Sequence, residues 1–507
     1  MSAGRLPPEV KAVATVVIVG AIMSILDTTI VNVAIDTLSR ELHAPLSTIQ
    51  WVSTGYLLSL ATVIPLTGWA AERFGPKRVW MVAVGGFVAT SALCGAAWSA
   101  ESLIAFRVLQ GAAGGMIMPI GMITLAQAAG PQRMGRVMSI VGVPMLLAPV
   151  FGPVIGGLLL EDLSWRWIFF VNLPIGALGL VLAARLMPSE RAEGSKTHAG
   201  RLDVGGVALL SPGLALIVYG LSETASRGAI DLLHVGAPLL VGSLLVIAFG
   251  VRAWRHDFPL VDVRLLRRGG FTAAALTTFL VGAALFGGML LLPLYYQVDR
   301  GLSPLQAGLL LAPQGLGAAL AMRFSGRLTD RVGGGPVVVS GLVVLALGTL
   351  PFTLVGASTP YGLLGIAVAV RGVGLGFTMM PAMAAAYAML ERSEVPRATP
   401  MLNVLQRVGG SIGVAVLAVI LQREIQGTLA GQVAGAAGGG GIQNLPPAAR
   451  AKLAGPVATA FAHTYTWSLA LLALALVPAL FLLREERRAP QRKTPAAAKQ
   501  EAPAAIV

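Results

Sequence analysis

Runs of about twenty apolar residues, separated by short polar stretches, recur along almost the whole chain of 507 residues. Because a membrane-spanning helix needs about twenty apolar residues, we predict fourteen spans. They are residues 13–35, 49–71, 79–98, 102–125, 138–160, 166–187, 203–222, 232–254, 270–297, 304–325, 337–357, 360–390, 400–422 and 460–483. A closed β-barrel is excluded, because its alternating strands of about ten residues are much shorter than these runs. The pattern predicts an all-α integral membrane protein with fourteen transmembrane helices.

The composition supports this interpretation. Hydrophobic residues make up 55% of the chain and charged residues only 12%, and the mean hydropathy is +0.77, well above that of soluble globular proteins. The apolar runs extend from end to end, so we expect no soluble catalytic domain. The first run is longer than a signal-peptide core and is followed by further spans, so we interpret it as an uncleaved helix.

Lysine and arginine are distributed unevenly between the predicted loops. Assigning residues 1–12 and every second loop to one side places 27 of the 37 lysines and arginines there, seven on the other side and three inside helices. Cytoplasmic loops carry the excess of these residues, so we predict that both termini are cytoplasmic, including a basic tail at residues 484–507. The long loop at residues 424–459 is then extracytoplasmic, with or without an interfacial helix within it. The net charge of +14 reflects this topology and attraction to anionic lipids, and we expect no nucleic acid as a partner.

Two sequence patterns occur twice. The segments GWAAERFGPKR (68–78) and GRLTDRVGGGP (326–336) both follow the second helix of a six-helix block, 258 positions apart. The segments FRVLQGAAGG and VRGVGLGF place an arginine, Arg107 and Arg371, before clustered glycines, 264 positions apart. We therefore predict two six-helix bundles that flank an inserted helix pair, a 6+2+6 arrangement typical of repeat-built secondary transporters. The three units are residues 13–187, 203–254 and 270–483.

The first predicted span contains a carboxylate, Asp27, about halfway along its length. A charge at the centre of a membrane helix costs about 2.5–3.5 kcal/mol and must be offset by a partner or by water. Asp27 is suited to carry a proton reversibly or to neutralise a cationic substrate; a purely structural carboxylate is the alternative. Arg107 in the fourth span is the expected counterpart, because its side chain stays charged. The sequence leaves open whether the two pair directly or Arg107 only braces the bundle.

Further side chains are expected to line a cavity between the bundles. Gln110 and Met118 share a helical face with Arg107, together with glycines that permit close approach. The cavity-lining candidates are Asn32, Gln110, Met118, Asn403 and Arg407. Arg371 is the repeat-related counterpart of Arg107.

The fifth span contains GVPMLLAPVFGPVIGG, residues 142–157. Its glycines form a smooth face on which another helix can slide, and its prolines favour bending. We interpret it as a conformational hinge, although glycine and proline are also common in ordinary membrane helices. The hinge residues are Gly142, Pro149, Gly152, Pro153, Gly156 and Gly157.

The two repeated loops place an acidic group beside cations at a helix end. Ion pairs and helix dipoles at such positions can latch the cytoplasmic ends of helices. Topogenic charge is the alternative, and the repetition at equivalent positions favours a latch. The predicted latch residues are Gly68, Glu72, Arg73, Gly75, Lys77, Arg78, Gly326, Asp330 and Arg331.

Motifs of other function classes are missing. The segment GSKT at residues 194–197 lacks the glycines of a phosphate loop, so we do not expect ATP to drive the protein. The sequence contains neither paired cysteines nor an H-E-x-x-H pattern, and the single Cys94 can form no intrachain disulfide. We therefore expect no metal, no cofactor and no enzymatic activity.

Several segments resemble the fourteen-span drug:proton antiporters of the major facilitator superfamily, the EmrB/QacA type. They are LDTTIVNVA (26–34), G-x-x-x-E-R-x-G-x-K-R (68–78), R-x-x-Q-G (107–111), G-x-x-x-x-x-A-P-x-x-G-P-x-x-G-G (142–157), WRWIFFVNLPIG (165–176), LPLYYQ (292–297) and GGSIG (409–413). The resemblance covers nearly the whole chain. It implies proton coupling by Asp27 and Arg107, a hinge at Gly152, Pro153 and Gly156, and a cytoplasmic latch at Glu72 and Asp330.

The chain departs from the family pattern at four points. Glu72 stands where the loop acid is usually aspartate, and Asp36 follows Ile35 where the first-helix pattern usually ends in Leu-Pro. Met289 occupies the position in the second half that corresponds to Asp27. The thirteenth helix lacks the carboxylate that some multidrug relatives use, which weakens the expectation of dicationic substrates.

Together these features predict a proton-coupled multidrug efflux transporter that exports lipophilic or amphipathic compounds by alternating access. Its expected partners are a small lipophilic substrate, protons and membrane lipids, and the sequence leaves the oligomeric state open. An endogenous lipid or secondary metabolite is the alternative cargo, whereas a non-transporting membrane sensor is disfavoured because no soluble signalling domain is predicted. The abundance of arginine, alanine, glycine and proline fits a bacterial genome, so we expect the bacterial cytoplasmic membrane.

Overall fold

In a computed structural model, the protein consists almost entirely of α-helices. The structure describes residues 6–188, 201–227, 231–429 and 447–488. Within these ranges there are seventeen α-helices and no strand. They are α1 (Pro8–Glu41), α2 (Leu46–Val63), α3 (Thr67–Phe74), α4 (Pro76–Gly95), α5 (Ala100–Ala129), α6 (Met134–Asp162), α7 (Trp167–Phe170), α8 (Asn172–Leu186), α9 (Val204–Arg227), α10 (Ala237–Arg255), α11 (Gly269–Leu294), α12 (Pro304–Val332), α13 (Gly334–Thr349), α14 (Tyr361–Gly376), α15 (Met379–Ala388), α16 (Val395–Leu429) and α17 (Pro447–Arg488).

Thirteen helical segments of the described chain are long and apolar enough to cross a membrane. Three of them combine two successive helices: α2 with α3, α7 with α8, and α14 with α15. The remaining predicted span is α6, whose 29 residues are enough to cross a hydrocarbon layer about 30 Å thick. The structure confirms the all-α membrane fold.

Part of the predicted long loop at residues 424–459 is helical. α16 continues to Leu429, and α17 already begins at Pro447. The segment PAARAKLAG is rich in alanine, which has the highest helix propensity, and proline is favoured in the first turn of a helix. Helix formation therefore extends beyond the apolar runs. Residues 430–446 and most of the predicted basic tail, residues 489–507, lie outside the described residues.

The helices pack into two groups. Helices α1–α8 contact one another closely, as do helices α11–α17, and we call these sets the N-terminal and C-terminal groups. α9 packs against both α2 and α16, and Ser211 Oγ on α9 donates to Thr62 O at 2.6 Å. α10 packs mainly on α9. These two intervening helices therefore lie beside the junction of the groups.

The groups meet most closely at the end where α1 begins and α17 ends, which we call the inner end. Here α6 contacts α12 and α15, and α16 contacts α3 and α5. Gly75 and Gly333, 258 positions apart in sequence, both turn the chain at this end with positive φ, 82° and 90°. Glycine adopts such angles without steric cost. The two repeated sequence segments therefore form the same local turn.

The crossing of α11 and α16 depends on small residues. A Cβ atom at Gly409 would overlap the backbone carbonyl of Phe279, and one at Gly413 would overlap that of Ala283. Small residues allow membrane helices to approach this closely. The GGSIG segment is therefore part of the packing of the C-terminal group.

Gly413→Ala should lower the thermal stability of the purified protein. The added methyl group meets backbone atoms, so α11 and α16 must separate, and such overpacking costs about 1–3 kcal/mol. Gly365→Ala is the matched control, because no atom lies within 4 Å of its Cβ position and alanine favours the helix. The measurement is the unfolding temperature in detergent, and equal values for the two variants would contradict this packing.

Candidate functional site

The centre of the N-terminal group is a buried polar network around Asp27. Asp27 lies in the middle of α1 and is completely buried. Its Oδ2 accepts a hydrogen bond from Arg107 Nη1 at 2.6 Å. Its Oδ1 accepts hydrogen bonds from Gln110 Nε2 at 3.1 Å and from Asn172 Nδ2 at 2.9 Å. The carboxylate is therefore paired with a cation and held by two amides, as a buried charge requires.

The guanidinium group of Arg107 on α5 also has several interaction partners. Its side chain also donates to Val52 O at 3.1 Å and to Gln110 Oε1 at 2.8 Å. Its guanidinium carbon lies 4.1 Å from the centroid of the Tyr56 ring, a cation–π contact. Gly111 permits this approach of α5 to α2, because a Cβ atom there would overlap the carbonyl of Tyr56. The direct pair with Asp27, which the sequence left open, is present.

Two further members of this network, Ser91 on α4 and Asn172 on α8, were not among the predicted site residues. Ser91 Oγ accepts from Gln110 Nε2 at 3.1 Å and from Asn172 Nδ2 at 3.0 Å, and it donates to Phe169 O at 2.9 Å. Both side chains are completely buried. Asn172 lies in the segment WRWIFFVNLPIG, and an amide in such an apolar run indicates a buried hydrogen bond. A serine in a membrane helix gives no comparable signal.

The glycines of α6 lie directly against the helix that carries Asp27. A Cβ atom at Gly152 would overlap the Thr29 side chain, and one at Gly156 would lie 3.3 Å from Ile30 Cγ2. α6 therefore packs closely on α1 in the turn that follows Asp27.

The other predicted hinge residues have different surroundings. A Cβ atom at Gly142 would meet two methionine side chains, on α12 and α15 of the C-terminal group. α6 thus contacts both groups through glycine. Gly157 faces open space, so close packing does not explain it. Pro149 and Pro153 lie in α6, and their side chains are outside the described part of the structure.

Two ion pairs join the groups at the inner end, and we call them the latch. Glu72 on α3 accepts from Arg397 Nε at 3.1 Å and Nη2 at 3.2 Å. Asp330 on α12 accepts from Arg136 Nε at 2.5 Å and from the backbone N–H of Gly135 at 2.8 Å. The four side chains are only 8% to 22% exposed, so salt screens them less than it screens surface charges. Both pairs connect one group with the other at the inner end.

Two predicted latch glycines mark the closest approaches of the groups. A Cβ atom at Gly68 would overlap the carbonyl of Pro396 on the opposite group. A Cβ atom at Gly326 would lie 2.7 Å from Gly135 O. The absence of side chains at these positions brings the latch pairs within hydrogen-bonding distance.

The cations predicted from the same loops do not form the latch. Arg73, Arg78 and Arg331 are exposed. Lys77 instead donates to two backbone carbonyls at the end of α8, at 2.9 and 2.8 Å, within the N-terminal group. The cations of the latch come instead from α6 and α16. At a helix end, neighbouring side chains point in different directions, so a cation next to the acid in sequence does not reach it. A cation on the opposite group faces the acid directly.

The latch is surrounded by further contacts between loops and helices. The Arg397 guanidinium carbon lies 5.6 Å from the centroid of the Phe258 ring, which belongs to the segment between α10 and α11. Arg268 Nη1 and Nη2 donate to the two carboxylate oxygens of Glu394 at 2.8 and 2.6 Å. Burial acts to raise the pKa of Glu394, but the hydrogen bonds from Arg268 and from the Glu391 backbone N–H, together with the charge of Arg268, outweigh it and hold the pKa below its ordinary value. This contact is therefore ionic at neutral pH.

The predicted cavity-lining residues occupy different settings. Gln110 is completely buried in the Asp27 network, so it does not line an open cavity in this conformation. Met118 is half-buried against the hydrophobic core. Asn32 is exposed and accepts a hydrogen bond from Ser53 Oγ at 3.1 Å. Asn403 is half-buried and donates to a carbonyl one turn earlier in α16 at 2.9 Å.

Two arginines lie within the spans of the C-terminal group. Arg371 is buried, and its Nε and Nη1 have no hydrogen-bond partner among the described residues. A Cβ atom at Gly288 would lie 2.5 Å from Arg371 Nη2, so a glycine faces this guanidinium. Arg407 on α16 is exposed, and in the described part of the chain it forms no hydrogen bond or ion pair. The repeat therefore preserves the arginine of the fourth helix but not its carboxylate partner.

The site chemistry is that of protein side chains. Among the residues that the structure describes, no group of three or more His, Cys, Asp or Glu side chains is arranged to hold a metal ion. Cys94 is buried and its Sγ lies 3.5 Å from Gln110 Oε1. The arrangement offers a buried carboxylate, a permanent cation beside it, and two ion pairs that join the groups at one end.

Comparisons with known proteins place this arrangement in a family. The sequence profile of the Major Facilitator Superfamily matches residues 17–414. The chain is 40% identical to the Multidrug resistance protein B homolog of Mycobacterium tuberculosis (strain ATCC 25618 / H37Rv), with 96% of this chain and 93% of that protein covered. It is 31% identical to the Tetracenomycin C resistance and export protein of Streptomyces glaucescens, with 83% and 77% covered.

A solved structure supports the same fold. The crystal structure of the human organic anion transporter TETRAN matches with a TM-score of 0.62 at 18% identity, covering 94% of this chain and 100% of that chain. At this identity the match concerns the fold alone. The matched sequence profile, the relatives and the fold agree that this multi-pass membrane protein is a transporter and not an enzyme. The chain belongs to the Major Facilitator Superfamily, in which multidrug-resistance and antibiotic-export proteins are among its relatives.

Proposed function

We propose that this transporter is a proton-coupled exporter of lipophilic or amphipathic compounds that works by alternating access. The observation that carries the proposal is the completely buried Asp27–Arg107 pair in the middle of the N-terminal group. Ionisable residues inside membrane spans are costly, and proton relays are among the functions for which they occur. Relatives named for multidrug resistance and for antibiotic export support an export function.

Protonation of Asp27 would change the charge balance of the network. The ionised carboxylate accepts three hydrogen bonds, whereas the protonated acid accepts fewer and no longer neutralises Arg107. The protonated state therefore favours a different arrangement of α1, α5 and α8. A proton can drive a transport cycle only through such a difference between conformations.

Asp27 can exchange its proton only after a movement, because its side chain is completely buried. The contacts of α6 with α1 at Gly152 and Gly156 provide a smooth surface for such a movement. α6 also contacts the C-terminal group at Gly142. A shift of α6 would therefore link the proton site with the junction of the groups.

We place the inner end at the cytoplasmic face of the bacterial cytoplasmic membrane, because the basic loops lie at that end. With the latch closed, the cytoplasmic end is shut in this conformation, and opening toward the cytoplasm requires both latch pairs to break. In the same proposal, two moving units, residues 13–187 and 270–483, flank an intervening helix pair at residues 203–254. The terminal segments, residues 1–12 and 484–507, are cytoplasmic.

An endogenous secondary metabolite or lipid is the second candidate cargo. The relative named for tetracenomycin C export favours a secondary metabolite. Mass spectrometry of the purified protein separates these cases, because a lipid or metabolite that co-purifies in constant proportion supports an endogenous cargo. Its absence, with transport of added dyes, supports export of foreign compounds.

Asp27→Asn should abolish proton-driven transport, because asparagine keeps the size of the side chain but binds and releases no proton. We expect the flux of rhodamine 6G and of fluorescein into proteoliposomes under an imposed pH gradient to fall to the level of empty liposomes. Asp36→Asn is the matched control, since Asp36 lies on the same helix but forms an exposed pair with Arg40. Full gradient-driven flux in the Asp27→Asn variant would disprove this role.

Asp330→Asn should open the inner end more often. The charge-assisted hydrogen bond to Arg136 is worth about 1.5–3 kcal/mol, so its loss shifts the equilibrium about tenfold or more. The readout is maleimide labelling of Ser139→Cys, a buried position at the closed junction, in inside-out vesicles of a Cys94→Ala background. Asp36→Asn should leave the labelling rate unchanged. A slow rate in the Asp330→Asn variant would show that this pair does not hold the gate.

A further inference from the structure

Arg407 lies far from the ends of α16 and has no partner among the residues that the structure describes. It is 12 residues from the first residue of α16, about 18 Å along the helix. Its side chain is exposed, yet within the described chain it forms no hydrogen bond or ion pair. α16 contacts α3 and α5 of the opposite group, and Tyr56, the buried ring that stacks on Arg107 in that group, lies close enough to act on the charge of Arg407. Arg407 therefore faces the opposite group and not the surrounding lipid.

The interior offers Arg407 no carboxylate. Among the described residues, Asp27 is the only acidic side chain more than two turns from either end of its helix. Asp27 is already paired with Arg107 and bound by two amides. An isolated guanidinium inside a membrane bundle is unfavourable unless it faces water or an anion. The space beside Arg407 is therefore suited to a negative group supplied from outside the chain.

Arg371 adds a second uncompensated charge on the same side. It is only 3% exposed, so it is too deeply buried to touch a molecule between the groups. Where Asp27 faces Arg107 in one group, Gly288 faces Arg371 in the other. Charges act over longer distances in a low-dielectric interior than in water. The C-terminal wall of the space between the groups is therefore electropositive.

The face of α16 around Arg407 combines this charge with apolar and hydrogen-bonding side chains. Asn403, Val404, Ser411 and Val414 lie three, four or seven positions from Arg407 and are half-buried, so they share its helical face. Ligand sites typically have this composition, with mostly apolar walls and a few polar groups that fix orientation.

We propose that the substrates are amphipathic organic anions, whose carboxylate or sulfonate group pairs with Arg407 while the apolar body packs on the surrounding face. This inference rests on the proposed export function and names its substrate class. The planar guanidinium binds such groups bidentately, whereas a lipophilic cation meets a like charge. A membrane potential that is negative inside also favours outward movement of an anion.

Two dyes test the proposal, because fluorescein and rhodamine 6G share a xanthene ring system but carry opposite net charges at neutral pH. Their binding to the full-length protein in nanodiscs is measured by fluorescence anisotropy. We expect the wild type to prefer fluorescein, and Arg407→Gln to weaken fluorescein binding about tenfold, the loss of one charge-assisted contact. Arg407→Lys should retain most of the binding. Arg323→Gln is the matched control, because Arg323 is exposed near the inner end of α12.

The outcomes separate the substrate class from the export function. The substrate class is overturned if fluorescein does not bind, if rhodamine 6G binds more tightly, or if Arg407→Gln leaves fluorescein binding unchanged. Gradient-driven flux of rhodamine 6G that Arg407→Gln does not affect would support export and overturn the substrate class. Fluorescein binding that depends on Arg407, with no gradient-driven flux of either dye, would support the substrate class and overturn proton-coupled export.

Discussion

An uncompensated charge in the interior of a membrane bundle is costly, and the N-terminal group is organised around that constraint. Asp27 on α1 and Arg107 on α5 neutralise each other. Gln110 on α5 and Asn172 on α8 donate to Asp27, and Ser91 on α4 accepts a hydrogen bond from each of these two amides. Four helices thus depend on the ionisation of one carboxyl group. Protonation of a single oxygen atom would therefore affect the packing of the whole group, as the proposed proton-driven transport requires.

The latch illustrates a related constraint on reversible gates. A fully buried ion pair is very costly to separate, because each charge is left without a partner. A fully exposed pair contributes almost nothing. The pairs of Glu72 with Arg397 and of Asp330 with Arg136 lie between these limits, with side chains 8% to 22% exposed. In the proposed transport cycle, pairs of this intermediate burial favour a closed inner end and become accessible to water when the end opens.

The sequence predicts the membrane spans, and it singles out Asp27 and Arg107 as charges inside them, because polar groups are costly in hydrocarbon. It does not predict which side chains meet in space. The exposure of Gln110 and the identity of the latch cations depend on how each helix is rotated about its own axis. A helix that is apolar on every side carries little information about that rotation. Asn172 is an exception, because an amide in an apolar run needs a hydrogen-bond partner just as a charge needs a counter-charge, so its position in the sequence indicates a buried polar contact.

The two groups share local structure, such as the turns at Gly75 and Gly333, but differ in their central charges. One group holds a carboxylate and arginine together, whereas the other holds Arg371 and Arg407 without a described acidic partner. If the proton binds in the first group and an anionic substrate in the second, the two do not compete for the same atoms. Their coupling must then pass through the junction of the groups. α6 is placed for this task, because its glycines contact α1 beside Asp27 and the C-terminal group near the latch.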